Sequence, residues 1–427
     1  MTQDIPRNDD DLSGKLASLV QSYEHSHPLC KLAHERARRV LPDGNTRSVL
    51  HSEPFPLLIR SAEGSNITTI DGETLEDFVS DYAAGIYGHS HPNIKAAIQE
   101  ALFTGLSLGG ITPKEAQLGE ILTRRFQSLE KVRFCNSGTE ANTFAIATAI
   151  AYTKRQKILV FENGYHGGTL SFPRKQNPLN LPHKFVIGTF DNIEDTRPLI
   201  DDQLAAILVE PMQGVGGMRL ASRQFLQFLR QAANEVGAIL IFDEVVTSRL
   251  HYHGLQGVMD VQPDMTTLGK YLGGGFPFGA FGGSSKLMDQ FDPVVNACAL
   301  HHSGTFNNNI FTMSAAVAAA QLITEDSLRM LNRLGDRLRD EANNLMQITG
   351  FHRIRFTGYG SAVGIYFMGG NADCLRECFY FSMLNRGIYI GRRGFMFLNL
   401  AHTEASVDHV LEAISAFIAE LVPANNS

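Results

Sequence analysis

The chain has 427 residues, 44% of them apolar and 19% charged, with 37 Lys and Arg against 44 Asp and Glu for a net charge of −7. That length suggests two or three domains with room for a buried core, and the composition excludes a disordered or charged-tail protein. The acidic balance argues against nucleic acid or an anionic membrane as the main partner, because both demand a basic face.

Residues 1–10 read as frayed, and the polar, acidic start does not resemble a signal peptide. From about Leu12 to Val40, apolar spacing predicts two amphipathic helices split by Pro28, and Pro42-Asp43-Gly44-Asn45 is a strong turn. Leu57–Arg60 and Asn66–Ile70 read as short strands, with Asp71-Gly72 turning towards a third. From about residue 115, the apolar runs Lys131–Cys135, Lys157–Phe161, Lys184–Ile187, Ala205–Val209 and Ala238–Phe242 alternate with helix-like stretches. This rhythm predicts βαβ units and a mostly parallel sheet covered by helices on both faces. Beyond it come a long helix (Ser314–Thr324, then Ser327–Ile348), two strands (Phe351–Phe356, Ala362–Phe367) and a closing helix from Ser406.

Five scattered cysteines (Cys30, Cys135, Cys298, Cys374, Cys378) with no CxxC spacing argue against a disulfide framework or zinc ribbon. Cys374 and Cys378 fit successive turns of one helix. With no run of about 18 apolar residues, the chain reads as soluble and cytoplasmic.

Three segments carry chemistry. Cys135-Asn136-Ser137-Gly138-Thr139-Glu140 follows a predicted strand and opens a helix. Small and hydroxyl residues there can present backbone N–H groups to a phosphate, although a well-capped helix explains the same residues. Asp243-Glu244 closes a buried apolar strand, where a carboxylate is costly unless it meets a metal, an arginine or a protonated heterocycle. Lys270 lies in apolar, Gly-rich company (Leu268-Gly269-Lys270, then Gly273-Gly274-Gly275). Such surroundings depress a lysine pKa and suit a nucleophile or Schiff-base lysine. The pairs His89/His91, His251/His253 and His301/His302 lack the Cys or carboxylate companions of a zinc site, so no metal is expected.

Phosphate cup, buried acid and reactive lysine together match the needs of pyridoxal phosphate. The chain resembles a class III, fold-type I aminotransferase: Gly88-His89-Ser90-His91-Pro92, Ser137–Ala141, Tyr165-His166-Gly167, Glu210-Pro211, Asp243-Glu244-Val245 and Gly269-Lys270 follow the family's order. The resemblance implies an α/β fold with three parts: an N-terminal segment (1–75) at the active-site mouth, a large cofactor-binding domain (76–315) and a small C-terminal domain (316–427). It implies Lys270 as the Schiff-base lysine, Asp243 on the pyridinium, and Val245 and Tyr165 on opposite ring faces. His166 would also belong to the cofactor site, and Ser137, Gly138 and Thr139 to the phosphate. Thr305 would reach the phosphate of the neighbouring subunit in a homodimer, and Glu210 would lie on the substrate side.

Val246-Thr247-Ser248-Arg249 and Pro42–Ser48 resemble the branch holding glutamate-1-semialdehyde aminomutase and β-phenylalanine-type aminotransferases. Arg47 would there bind the substrate carboxylate, and Arg392-Arg393, Arg393 above all, would offer a second grip. Gly304–Asn309 looks more like the β-amino acid enzymes. The expected reaction is ping-pong transfer from a β-amino acid or related carboxylated amine to a 2-oxo acid. The alternatives are an aminomutase or an ω-transaminase of amines lacking a carboxylate.

Overall fold

The structure, a computed structural model, describes residues 9–175 and 177–421, with side chains from residue 12. The expectation for residues 1–10 therefore lies, up to residue 8, outside the described residues. Two helices, Asp9–Ser26 and Pro28–Ala37, break where the sequence does, because Pro28 is tolerated only in a helix's first turn. Strands β1 (Ile59–Glu63), β2 (Asn66–Thr69) and β3 (Thr74–Asp77) form an antiparallel ladder, turning at Gly72 with φ +95°. The first strand starts at Ile59, two residues later than its apolar run.

The central sheet is built from β4 (Lys131–Cys135), β5 (Lys157–Phe161), β6 (Lys184–Gly188) and β7 (Leu204–Val209). The short hairpin β8 (Met212–Gln213) and β9 (Arg219–Leu220) stands apart, and β10 (Ile239–Asp243), β11 (Met265–Gly269) and β12 (Gly279–Gly283) complete the sheet. Its order is β4-β12-β11-β10-β7-β5-β6, parallel except for β12, which runs antiparallel to both neighbours. Successive residues serve opposite faces. Ile158, Val160, Leu208 and Ile241 pack with the helix Gly138–Thr153, while Leu159, Ile207, Leu240 and Phe242 pack with the helix Arg223–Val236. Both faces are buried, as the continuous apolar runs require.

Helices Ile310–Ala320 and Glu325–Ile348 lead to β13 (Ile354–Tyr359) and β14 (Ala362–Phe367). The long helix starts at Glu325 because Thr324 and Ser327 form a reciprocal capping box. Cys374 and Cys378 share the helix Ala372–Leu384, which precedes β15 (Ile388–Tyr389), β16 (Phe395–Phe397) and the last helix, Glu404–Leu421. β15 pairs in parallel with β3, and Tyr23 packs on Phe381, so the N-terminal segment is stitched to the C-terminal one. No described helix is long and apolar enough to cross a membrane.

Candidate active site

Sheet register gathers the chemistry. Asp243 pairs with Thr267, Gly269 with Gly279, and Gly279 with Cys135, so the residues after β4, at the end of β10 and after β11 meet at one edge. Glycine at 279 permits this: a Cβ there would sit 2.1 Å from the Ser137 carbonyl oxygen.

Ser137 caps the helix Gly138–Thr153, its Oγ accepting the Glu140 N–H at 3.1 Å. The N–H groups of Gly138 and Thr139 have no intrahelical acceptor, which makes this end an anion site. Three loops interlock around it. A Cβ on Gly138 would lie 2.9 Å from Val245, and one on Gly167 would lie 2.2 Å from Thr139 Oγ1.

Asp243 is buried, with each oxygen engaged. Its Oδ2 accepts from Asn142 Nδ2 and His166 Nδ1, both at 2.8 Å, and its Oδ1 accepts the Val245 N–H at 3.0 Å. Thr267 Oγ1 donates to Asn142 Oδ1 at 2.7 Å and fixes that amide's orientation. Burial alone would lower the His166 pKa, but the hydrogen bond and charge of Asp243 outweigh it and raise it. Sequence reasoning missed Asn142; its place in the helix behind Ser137 was the available signal.

Glu210 is buried, its oxygens accepting the Tyr165 and Gly214 N–H groups at 3.0 and 3.1 Å. Burial raises its carboxyl to about 7, against the pull of His166. It thus ties down the Tyr165 loop. The Tyr165 ring is exposed.

Lys270 follows β11 with φ +53° and is half-buried. Its Nζ donates to the Tyr82 carbonyl at 2.6 Å. Burial pushes the amine down to about 8, partly opposed by Asp81 and reinforced by Arg47. Tyr82 lies in a turn that sequence reasoning missed: Ser80, Asp81, Tyr82 and Ala83 have φ of 44°, 42°, 56° and 78°. Four consecutive left-handed residues without glycine persist only where their surroundings hold them. Ser80 Oγ donates to the Phe397 carbonyl at 2.8 Å, and Arg249 Nη1 to the Ala83 carbonyl at 3.3 Å.

Arg47 reaches the same turn. Its Nη1 lies 2.9 Å from Asp81 Oδ1, and its guanidinium sits over the Tyr82 ring at 4.8 Å. The predicted turn before it is a knot in which Asp43 has φ +60° and the Arg47 N–H donates to Asn45 Oδ1. The two C-terminal arginines separate. Both line a groove with Ser48, Val49, Tyr82 and Phe395, but Arg392 is paired with Glu377 and stacked over Tyr380 and Phe381, whereas Arg393 is exposed. Thr305 is exposed, on a loop tied to the cup by the Asn136 Nδ2 bond to Asn307 Oδ1 at 2.9 Å.

A family model described as aminotransferase class-III matches residues 48–418. The chain is 40% identical to the β-phenylalanine transaminase of Variovorax paradoxus, over 94% of this chain and 95% of that protein. The crystal structure of a β-phenylalanine aminotransferase from Variovorax paradoxus superposes with a TM-score of 0.93 at 40% identity, covering 96% of this chain and 98% of that one. A transaminase with PLP bound superposes with a TM-score of 0.87 at 30% identity, covering 92% and 97%. Fold and site together define a pyridoxal-phosphate-dependent transferase of fold type I. The chain belongs to the class III aminotransferases: it is an enzyme that moves amino groups with pyridoxal 5′-phosphate. Its residues fit that cofactor, with an anion-binding helix end, a buried carboxylate and a lysine of lowered pKa converging on one edge.

Proposed function

We propose that this enzyme transfers the amino group of a β-amino acid to a 2-oxo acid. The observation that carries this reading is Arg47, set beside the Lys270 amine through Tyr82 and so able to grip a carboxylate on a donor whose amine faces the lysine. Arginine suits that task because its planar fork matches both carboxylate oxygens. The likeness to a transaminase named for β-phenylalanine supports the same substrate class.

When bound, pyridoxal phosphate supplies an aldehyde that carries the amino group between substrates and a ring that acts as an electron sink. Lys270 would hold the cofactor and move the proton at the donor's reacting carbon. Asp243, its carboxylate aimed by His166 and Asn142, would keep a proton on the ring nitrogen. Tyr165 and Val245 would cover the two ring faces, the Ser137–Thr139 amides and hydroxyls would hold the phosphate, and Glu210 positions Tyr165. Arg393 would offer a second grip for a dicarboxylate or 2-oxo acid acceptor.

Removing one partner of a buried, hydrogen-bonded charge pair costs about 2–5 kcal/mol. Arg47 keeps roughly half its side chain exposed, so Arg47→Ala should sit at the low end, a loss of about 30-fold in kcat/KM for β-phenylalanine. An amine without a carboxylate should lose little, and equal losses for both would make Arg47 structural. Turnover of the donor without any 2-oxo acid would instead identify an aminomutase.

A homodimer with shared sites completes the reading. Phe103, Leu106, Ile111 and Phe306 are exposed, and Asn308 ties the Thr305 loop to Gly110 among them, which gives an apolar face beside the cup. If Thr305 serves the neighbouring site, mixing Lys270→Ala with Thr305→Ala subunits restores one intact site in each heterodimer. Proven heterodimers without regained activity would refute the cross-subunit contact.

A further inference from the structure

The Arg47 guanidinium already has a carboxylate. Asp81 Oδ1 lies 2.9 Å from Arg47 Nη1, and the Asp81 backbone at φ +42° stands in the strained turn whose next carbonyl receives the Lys270 amine. Both side chains stay substantially open, at 46% and 60% exposure. A pair this exposed is worth little, so an incoming acid can displace it. The turn itself cannot drift away, since Asp77 Oδ1 accepts the Val79 and Ser80 N–H groups and Asn399 Nδ2 donates to Ser80 Oγ. Asp81 is therefore fixed within reach of Arg47 by contacts independent of Arg47.

We propose that Asp81 is a specificity-determining residue, an internal carboxylate that holds Arg47 when no acid is bound and yields the guanidinium to the donor's carboxylate. This inference rests on reading Arg47 as the carboxylate site. With Asp81 in place, the mouth presents a neutralised pair to donors lacking an acid group, and an acid-bearing donor gains Arg47 only by competing with Asp81. Asp81 thus lowers the preference for acids and limits how tightly the product acid is retained.

The test uses the holoenzyme with 3-phenylpropionate as a carboxylate probe that cannot react, and with β-phenylalanine and 1-phenylethylamine as donors with and without the acid. Asp81→Asn preserves shape and tolerates the left-handed backbone. It should tighten 3-phenylpropionate binding by up to about 5-fold, the factor an exposed ion pair is worth. The KM for β-phenylalanine should fall in step while that for 1-phenylethylamine does not, and Asp81→Glu should return both towards wild type. Weaker probe binding in Asp81→Asn, or parallel changes for both donors, would overturn the proposal by making Asp81 a mere support for Arg47. Arg47→Ala separates the two readings. If it loses the probe while Asp81→Asn gains nothing, Arg47 keeps its role and the Asp81 proposal fails. If it binds the probe as well as wild type, the carboxylate site lies elsewhere and both fall.

Discussion

Replacing Lys270 by alanine is expected to reduce transamination by about 10⁴-fold or more, because in the proposed reading the same amine holds the cofactor and moves the proton. The effect is large because of what the site does to this amine. An ordinary lysine near 10.5 is neutral to about one part in 3,000 at pH 7, whereas one at about 8 is neutral to about one part in 11. The Tyr82 carbonyl accepts a hydrogen bond from Nζ and aims the amine. The fold should survive the change, since alanine at φ +53° bears the same backbone strain that lysine does there. Pyridoxal phosphate should still bind through the Ser137–Thr139 end of its helix, but without a covalent tie. In the wild type, borohydride treatment should leave the cofactor's mass on the peptide containing Lys270. The same mass on another lysine in Lys270→Ala, with visible absorbance unchanged, would falsify the assignment. Lys270→Arg keeps the positive charge but cannot be deprotonated, so it should be as inactive as alanine.

Much of this site was legible because its residues sit where punctuation is strongest. Ser137, Asp243 and Lys270 each close or follow a buried apolar strand, and hydroxyl or glycine neighbours mark the ends. The strands beside them were harder. Gly279–Gly283 is three-fifths glycine, a poor strand by propensity, yet glycines at 279 and 282 are what let β12 lie against the Ser137 and Lys131 carbonyls. The turn at Ser80–Ala83 carries no glycine to announce its left-handed backbone; contacts with Phe397, Asn399 and Arg249, all distant in sequence, impose it. The same limit applied to Arg392 and Arg393. Adjacent arginines look alike in a sequence, and contacts with Glu377 and Ser52, both distant along the chain, decide which one is engaged.

Asp243→Asn is expected to slow turnover by about 10²–10⁴-fold while leaving a folded protein. In the proposed role the acid's value lies in its charge: a carboxylate would keep the ring nitrogen protonated, and an amide of the same shape would not. The replacement is also imperfect as a hydrogen-bond partner. Asp243 accepts from three donors, Asn142, His166 and the Val245 N–H, and an amide offers only one accepting oxygen. At least one donor then faces an NH₂ group, which costs about 1–3 kcal/mol. His166 gives this loss a pH signature. Its pKa is raised in the folded wild type because Asp243 outweighs the effect of burial. The stabilisation from that pair is therefore fully present below the unfolded histidine value of about 6.5 and is lost as pH rises through the folded one. Urea unfolding of the cofactor-depleted proteins should show a wider stability gap between wild type and Asp243→Asn at pH 6 than at pH 9. A gap independent of pH would mean that His166 is not charged against Asp243. Near-normal turnover in the variant would mean that some other group holds the proton on the ring nitrogen.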